Sequence, residues 1–467
     1  MQCYAYARPL FSCGYAQAVY FYRKAWYLMA LFKMGKTKIP HRKNTENTAR
    51  ARFMTPSVVM LPMSQHIGAP SKPVVKVGDE VFVGTLIAEA GGYVGSPIYS
   101  SVSGKVTKIA PYLMQNGSKC DMVVITPDGN MTPDPSITPP TVTNFDEFRD
   151  AVARSGLVGL GGAGFPTAVK LDAEKKGLIK KIIVNGAECE PYITSDTRTM
   201  IEDAEDIKAG VLALLKYISA DEVIIGIEKS KPSAIEKLTA LFSGDERVSV
   251  VTLPSTYPQG AEKVLIFNTT GKIVPEGGLP ADVGCLVLNI TSVAFIAKYL
   301  RTGMPLVRKC VTLDGSAIKN PTNVNAPLGT LIKEIVEFAG GYKGEVGKLL
   351  LGGPMMGIAQ YTDEVPIVKN TNAIVALSPA DARPPRTTAC IHCGRCVSAC
   401  PIGLNPTKFA KAAALPMGDE AKLSILTEEK VNLCMECGCC SFVCPAKRPL
   451  VENNKLGKAY VRANQKR

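Results

Sequence analysis

The sequence predicts a multidomain chain of mixed α/β and α+β class. It comprises a small β domain, an α/β domain with a mostly parallel sheet, a second small α+β unit and a helical C-terminal domain. Three observations carry this reading. Residues 58–108 alternate short β-rich runs with Gly and Pro turns, residues 144–296 alternate buried-strand runs with helical periodicity, and one cysteine spacing occurs twice near the C-terminus. At 467 residues the chain has room for several domains of roughly 100–200 residues, and a hydrophobic content of 46% lets each bury a core.

At the N-terminus, Phe11–Phe32 is the longest nearly apolar stretch, but Arg23 and Lys24 interrupt it, so no spanning helix is predicted. It also lacks the charged, apolar, small-residue order of a signal peptide. Met34 opens a more ordinary sequence, so residues 1–33 read as an extension outside the native start, or as disordered. The formal charge of +13 is concentrated in Lys33–Arg52 and Lys455–Arg467, which read as solvated basic runs. No nucleic-acid module accompanies this charge, so nucleic acid is not expected as a partner. An acidic protein surface or an anionic membrane face is the better match.

Residues 34–131 form the first domain. Val74–Asp79 and Ser101–Val106 are its clearest β pieces, with glycines supplying positive φ at tight turns. The pattern resembles biotinyl/lipoyl carriers, although no exposed carrier lysine at a hairpin tip is visible, so an unmodified structural module is expected. Thr132–Thr143 is a Pro/Thr linker. Within 144–298, helices are expected at Phe145–Ser155 and Ile201–Tyr217, and buried strands at Lys181–Asn185, Glu222–Glu228 and Val248–Leu253. The unit at 299–379 has strands near Leu306–Leu313 and Lys348–Leu351 and a helix near Leu328–Phe338. Residues 380–386 lead into the cysteine domain, 380–450, and 451–467 reads as a basic tail.

Cys390, Cys393, Cys396 and Cys400 follow C-x2-C-x2-C-x3-C with Pro401 next. Cys434, Cys437, Cys440 and Cys444 repeat the spacing, with Pro445 next. Three closely spaced thiolates can point inward onto one iron–sulfide cube, and the fourth goes to the other cluster of a two-cluster ferredoxin-like domain. One [4Fe–4S] cluster is therefore assigned to Cys390, Cys393, Cys396 and Cys444, and the second to Cys434, Cys437, Cys440 and Cys400. Zinc sites or disulfides would not call for two matched tetrads, each closed by Cys-Pro. Cys439 lies off the spacing and reads as a buried thiol near the cluster. His392 reads as a neighbour of the cluster and not an iron ligand. Thiolates reserved for iron imply a reducing compartment.

Gly159–Thr167 (GLGGAGFPT) places four glycines within six residues, so backbone amides can approach a flat anionic ligand. Pro166 suits a helix start, and Lys170 adds a cation one turn on. Three segments offer polar groups at strand ends: Val184–Pro191 with Asn185, Glu188 and Glu190; Tyr257–Ile266 with Glu262; and Val287–Ser292 with Asn289 and Thr291. Ligands of open α/β sheets sit beyond the carboxyl ends of strands. These side chains suit a flavin, which exchanges a hydride with a nicotinamide and single electrons with iron–sulfur clusters.

Residues 156–167 closely resemble the flavin loop of the NADH-binding flavoprotein subunit of respiratory complex I, and Asn185–Pro191, Gly260–Ile266 and Asn289–Ser292 match its other loops in order. Leu160 and Ala187 depart from it, where that family usually carries arginine and aspartate. A closer resemblance is to the C subunits of Rnf electron-transport complexes. It is carried by Ser64–Pro70 (SQHIGAP), Val74–Asp79, Ser100–Val106, Tyr257–Gly260, Gly352–Gly357 (GGPMMG) and the paired cysteine motifs, over about residues 38–450. This resemblance implies a β-grasp-type module near 300–380, an FMN cofactor and NAD(H) as substrate. Gly161, Gly162, Gly164 and Lys170 would hold FMN. Asn185, Glu188, Glu190, Glu262, Asn289 and Thr291 would line flavin and nicotinamide, with Glu188, Glu190 and Glu262 closest to the chemistry. His66 reads as a structural histidine.

The resemblance also implies a peripheral subunit on the cytoplasmic side of the cell membrane, part of an enzyme coupling ferredoxin:NAD electron transfer to Na⁺ or H⁺ transport. Its partners would be membrane flavin subunits and an iron–sulfur subunit, with ferredoxin reached indirectly. Two alternatives stand beside this reading: a soluble flavin/iron–sulfur cobalamin reductase of the microcompartment type, and an electron-transfer scaffold without flavin.

Overall fold

The computed structural model describes residues 37–464 except 54, 115, 116, 417 and 419. The proposed extension at 1–33 lies outside the described residues. The chain divides into a unit spanning Lys38–Pro384 and a C-terminal unit beginning at Pro385.

In the first unit, the β domain pairs Val59–Pro62, Lys119–Pro127, Gly104–Leu113 and Glu80–Val81 into one antiparallel sheet. A smaller sheet joins Lys72–Pro73, Leu86–Glu89 and Ile98–Tyr99. Val59, Leu61, Ile87, Val102, Val106, Val123 and Ile125 fill the space between them. Val74–Asp79, expected as a β piece, is mostly a loop and turn. The Asp79 carboxylate accepts the Lys76 amide at 2.8 Å and Gly78 takes φ +103°, which breaks any ladder there.

The α/β domain has a four-stranded parallel sheet in the order Val248–Leu253, Glu222–Glu228, Lys181–Gly186, Cys285–Asn289. Its strands read as nearly continuous apolar runs because both faces are covered. The helices that cover them are Phe145–Arg154, Ser195–Glu202, Ala204–Tyr217, Pro232–Phe242, Glu262–Thr270 and Ile290–Thr302. The single helix expected at 201–217 is two, broken at Asp203, whose backbone leaves helical geometry. Successive strands move outward from Lys181–Gly186 in one direction, and the last, Cys285–Asn289, returns to its other side. The order therefore reverses between these two strands, the place where open α/β sheets bind ligands.

The α+β unit is a mixed six-stranded sheet. Arg50–Arg52 lies at one edge, followed by Thr322–Pro327, Arg308–Asp314, Ala373–Leu377, Lys348–Leu351 and Ile358–Gln360. The helix Ile332–Phe338 packs Ile332, Ile335 and Val336 against it. The sequence boundaries put Arg50–Arg52 within the β domain, but this strand pairs in parallel with Asn323–Asn325. This strand of the expected 34–131 segment thus adds to the neighbouring sheet.

The segment leading to that strand is not a solvated basic run. The Lys43 ammonium donates to the carbonyls of Glu188 at 2.8 Å, Glu190 at 2.9 Å and Ile193. Thr45 Oγ1 meets Thr194 Oγ1, and Asn323 donates to the Thr45 carbonyl at 3.0 Å. Arg50 pairs with Glu202 at 2.7 Å and Asp203 at 2.6 Å. This strap ties the α/β domain to the neighbouring sheet.

The C-terminal unit is helical and internally repeated. From Cys390 to Cys434, and from the start of the helix Pro406–Ala413 to that of Leu450–Asn464, the step is 44 residues. Backbone conformation repeats too: His392 and Glu436 have φ 54° and 59°, and Gly394 and Gly438 have φ 72° and 78°. Residues expected as a basic tail from 451 form the helix Leu450–Asn464, whose buried Val451, Asn454, Lys458 and Val461 recur at helical spacing on one face.

Replacing Lys43 with Met should leave three carbonyls without their donor and lower the stability of the Lys38–Pro384 unit by about 3 kcal/mol. An earlier first transition in calorimetry is the expected result.

Candidate functional site

The glycine loop is closed by its own backbone. Gly159 N donates to Phe165 O at 2.8 Å, and Gly164 N to Gly159 O at 3.1 Å. Gly162 and Gly164 take φ +113° and +67°, open to glycine at little cost. A Cβ on Gly161 would lie 2.9 Å from Asn289 Nδ2, so only glycine lets the loop come this close to the sheet. Leu160 N is held by Ser292 Oγ at 3.1 Å. Among the described residues, no acceptor takes a hydrogen bond from the amides of Gly161, Gly162 or Ala163. Three consecutive free N–H groups on a loop of this kind fit an anionic, planar group such as FMN. The helix after the loop, Thr167–Leu171, has only five residues.

Asn185 and Asn289 face each other in register at the C-terminal ends of adjacent parallel strands. Asn185 Nδ2 donates to Gly260 O at 2.9 Å, joining the Tyr257–Ile266 segment to the strand end. Asn289 Oδ1 caps the helix Ile290–Thr302 by accepting from Thr291 N and Ser292 N. Its amide donates to Asp196 Oδ2 at 2.7 Å, and Thr291 Oγ1 donates to Asp196 Oδ1 at 2.6 Å. Glu188, with φ 47°, turns back to accept from Asp196 N at 2.6 Å and from the Thr197 hydroxyl. Asn289, Thr291 and Glu188 thus converge on Asp196, which sequence reasoning does not single out. Its helix start, Thr-Ser-Asp, is an N-terminal signal that could have found it.

Glu190 Oε2 accepts from Met355 N at 3.1 Å, and Oε1 is buried. A Cβ at Gly353 would sit 2.2 Å from Oε2, so the GGPMMG loop closes on this carboxyl because it begins with glycines. Burial pushes both Glu188 and Glu190 up to about 7. Lys170 and Glu262 pair with each other at 2.8 Å, and Lys170 also donates to Val287 O at 3.1 Å. Among the described residues, no hydrogen bond links this pair to Glu188 or Glu190.

Other groups reach the loop from distant sequence. Asn370 and Asn372 donate to the carbonyls of Gly162 and Gly161 at 3.3 and 3.4 Å. Ile67 N donates to Gly164 O at 3.0 Å. Its neighbour His66 is pushed down to about 4 by burial and by Lys369, so it is neutral. Leu160 and Ala187 are buried, at 2% and 0% exposure. Each offers its carbonyl to a buried lysine: Lys309 donates to Leu160 O at 2.7 Å, and Lys231 to Ala187 O at 2.6 Å.

In the C-terminal unit, Cys400, Cys434, Cys437 and Cys440 line one cavity enclosing about 330 Å³ of atom-free space, part of it open to solvent. This is the set assigned to one cluster from the spacing, with the fourth cysteine taken from the other motif. Leu404 N approaches Cys400 Sγ at 3.3 Å and Glu436 N approaches Cys434 Sγ at 3.4 Å, as suits thiolate ligands. Cys396 lies close enough to Cys444 and Cys390 for their charges to be felt at its thiol, in keeping with the other interleaved set. Among the described residues, no three His, Cys, Asp or Glu close on a single metal ion. Thiols ranged around a cavity fit a cube of iron and sulfide, not one zinc. Cys439 is buried at the cavity wall, and His392 is exposed.

Comparison with known proteins accounts for each part. The RnfC barrel sandwich hybrid domain matches residues 31–130, the Nuo51 FMN-binding domain 152–298, the SLBB domain 310–359 and the 4Fe-4S dicluster domain 386–448. The chain is 40% identical over 400 residues to the C subunit of the proton-translocating ferredoxin:NAD(+) oxidoreductase complex of Clostridium ljungdahlii, covering 85% of this chain and 87% of that one. It is 40% identical over 387 residues to the Na(+)-translocating counterpart of Acetobacterium woodii, covering 82% and 87%. To the C subunit of the ion-translocating oxidoreductase complex of Rhodobacter capsulatus it is 38% identical over 384 residues, covering 81% and 74%. With the flavin-type loop, the switch-point side chains and the cysteine-lined cavity in place, the chain belongs to the family of C subunits of ion-translocating ferredoxin:NAD(+) oxidoreductase complexes.

Proposed function

We propose that this chain exchanges hydride with NAD(H) at FMN and passes single electrons through two [4Fe–4S] clusters, as a peripheral subunit of an ion-translocating ferredoxin:NAD oxidoreductase. The observation that carries this reading is the set of free amides at Gly161, Gly162 and Ala163, set against Asn289 where the strand order reverses. When bound, FMN supplies the exchange between two-electron hydride chemistry and one-electron transfer. Gly161, Gly162 and Gly164 would hold its anionic and planar parts by backbone contact. Asn185, Asn289 and Thr291 would orient it from the strand ends. The Lys170–Glu262 pair would brace the loop's helix against the Glu262–Thr270 helix, and Lys170 would be recruited toward the flavin phosphate. Glu188 and Glu190 would line the nicotinamide side, where a carboxyl with a raised pKa can accept or return a hydrogen bond as charge changes.

Among the described residues, no helix is long and apolar enough to cross a membrane. The family's membership in a multisubunit complex supports attachment through partner subunits: membrane flavin subunits and an iron–sulfur subunit, with ferredoxin upstream or downstream. We place it on the cytoplasmic face, where thiolate-ligated clusters meet reducing conditions and NAD(H) is available. If partners hold it, integral subunits should co-purify; release by salt alone without them would favour direct contact with an anionic leaflet.

The purified chain, loaded anaerobically, should carry about eight irons and one FMN, and NADH should bleach its flavin absorbance. Iron without flavin, and no response to NADH, would overturn the proposal. Gly162→Val, forcing a β-branched residue to positive φ, should abolish FMN retention while iron stays bound. Cys393→Ser should lose one cluster yet keep flavin bleaching by NADH. For Glu190, burial raises the folded-state pKa above its unfolded value. The stability tied to its protonated form is full in acid and is lost as pH rises through about 7. Glu190→Gln, which never ionises, should therefore gain in melting temperature relative to the parent as pH is raised from about 5 to about 8.

A further inference from the structure

Among the positions at which the two halves of the C-terminal repeat differ, one places a hydrogen-bond donor against cysteine sulfur at a cluster site. The 44-residue step that carries Cys390 onto Cys434 and Pro406 onto Leu450 carries Ala410 onto Asn454. Asn454 is 2% exposed and lines the cavity formed by Cys400, Cys434, Cys437 and Cys440. Its Nδ2 donates to Cys434 Sγ at 3.4 Å and lies 4.0 Å from Cys440 Sγ. Ala410 packs against the apolar cluster that contains Cys396, Cys444 and Cys440, and offers it only a methyl group.

The surroundings differ in a second way. Each set has two buried cysteines, Cys396 and Cys444 in the first and Cys437 and Cys440 in the second, but Cys393 of the first set is exposed whereas no cysteine of the second set is. Reduction makes a cluster more negative. Burial disfavours that added charge and depresses the potential, while N–H groups directed at sulfur stabilise it and raise the potential. Lys458, which the repeat sets opposite Ala414, spends its charge on Glu436 and on the Cys434 carbonyl, so the ion pair brings little net charge.

We propose that the Asn454 amide raises the reduction potential of the cluster held by Cys434, Cys437, Cys440 and Cys400, offsetting that cluster's deeper burial. The exposed partner cluster has water for this purpose and needs no such donor. Asn454 is a tuning residue: it binds no iron and touches no substrate, but it sets how readily one cluster accepts an electron from the other. This rests on the interleaved cluster assignment.

The test uses the full-length chain loaded anaerobically, with iron counted and each cluster titrated potentiometrically by electron paramagnetic resonance. Cys393→Ser identifies which signal belongs to the first set. Two resolved clusters at full iron in the parent test the assignment itself, separately from the tuning. Asn454→Asp keeps the shape but removes the donors, and Asn454→Leu removes all polarity. Each should lower the one-electron reduction constant of the second cluster about tenfold, or 59 mV, and leave the first unmoved. Ala410→Asn should shift the first cluster upward. The proposal is overturned if Asn454 variants with full iron titrate like the parent, or if their shift falls on the first cluster. Should those variants lose iron, Ala410→Asn decides alone: an unshifted first cluster overturns the proposal.

Discussion

One ammonium group holds the flavin-type site in shape. Lys43 donates to the carbonyls of Glu188, Glu190 and Ile193, three acceptors in a loop that leaves the end of a central strand. Burial lowers its pKa, and the nearby Glu188 carboxyl opposes that shift. Without this cation, the loop would have to satisfy its carbonyls with water. The same segment continues into Arg50–Arg52 at one edge of the neighbouring sheet, while the GGPMMG loop, between the two strands at the opposite edge, closes on Glu190. The orientation of both glutamates therefore follows from a chain segment far away in sequence.

Substitutions at the glycine loop fit the same logic. Leu160 and Ala187 replace charged residues usual in the flavoprotein family that the loop resembles. Both are buried, and in each case the backbone carbonyl receives a buried lysine, Lys309 or Lys231. Positive charge thus reaches the loop from beneath, through the main chain, and not from the side chain at position 160. Burial pushes Lys309 down to about 7, so its hydrogen bonds to Leu160 and Lys369 matter at least as much as its charge.

Features written in local spacing were legible from the sequence. The two cysteine tetrads marked the iron–sulfur domain, the apolar runs at 181, 222 and 248 marked the parallel strands, and the glycines marked the loop. Residues whose role depends on long closures were not. Lys43 acts across about 145 residues, Asn372 across 211 and Lys369 across 213, and each is an ordinary polar residue with no pattern around it. Val74–Asp79 misled because its alternating valines resemble a strand, while a single aspartate turns the backbone. Residues 451–464 misled because their charge obscured an inward-facing row at Val451, Asn454, Lys458 and Val461. In both cases one local property was outweighed by another that only packing reveals.

The exchange of fourth cysteines has a consequence for how the C-terminal unit is made. Cys400 shares a cavity with cysteines of the second motif; if Cys444 in turn completes the first set, neither half would hold a full complement by itself. Loading iron would then be part of folding: the first cube would draw the two motifs together and pre-arrange the pocket for the second. Oxidative damage to either cube would, by the same linkage, release a ligand of its neighbour's motif and expose the helices packed on it. The wire is built, and fails, as a single piece.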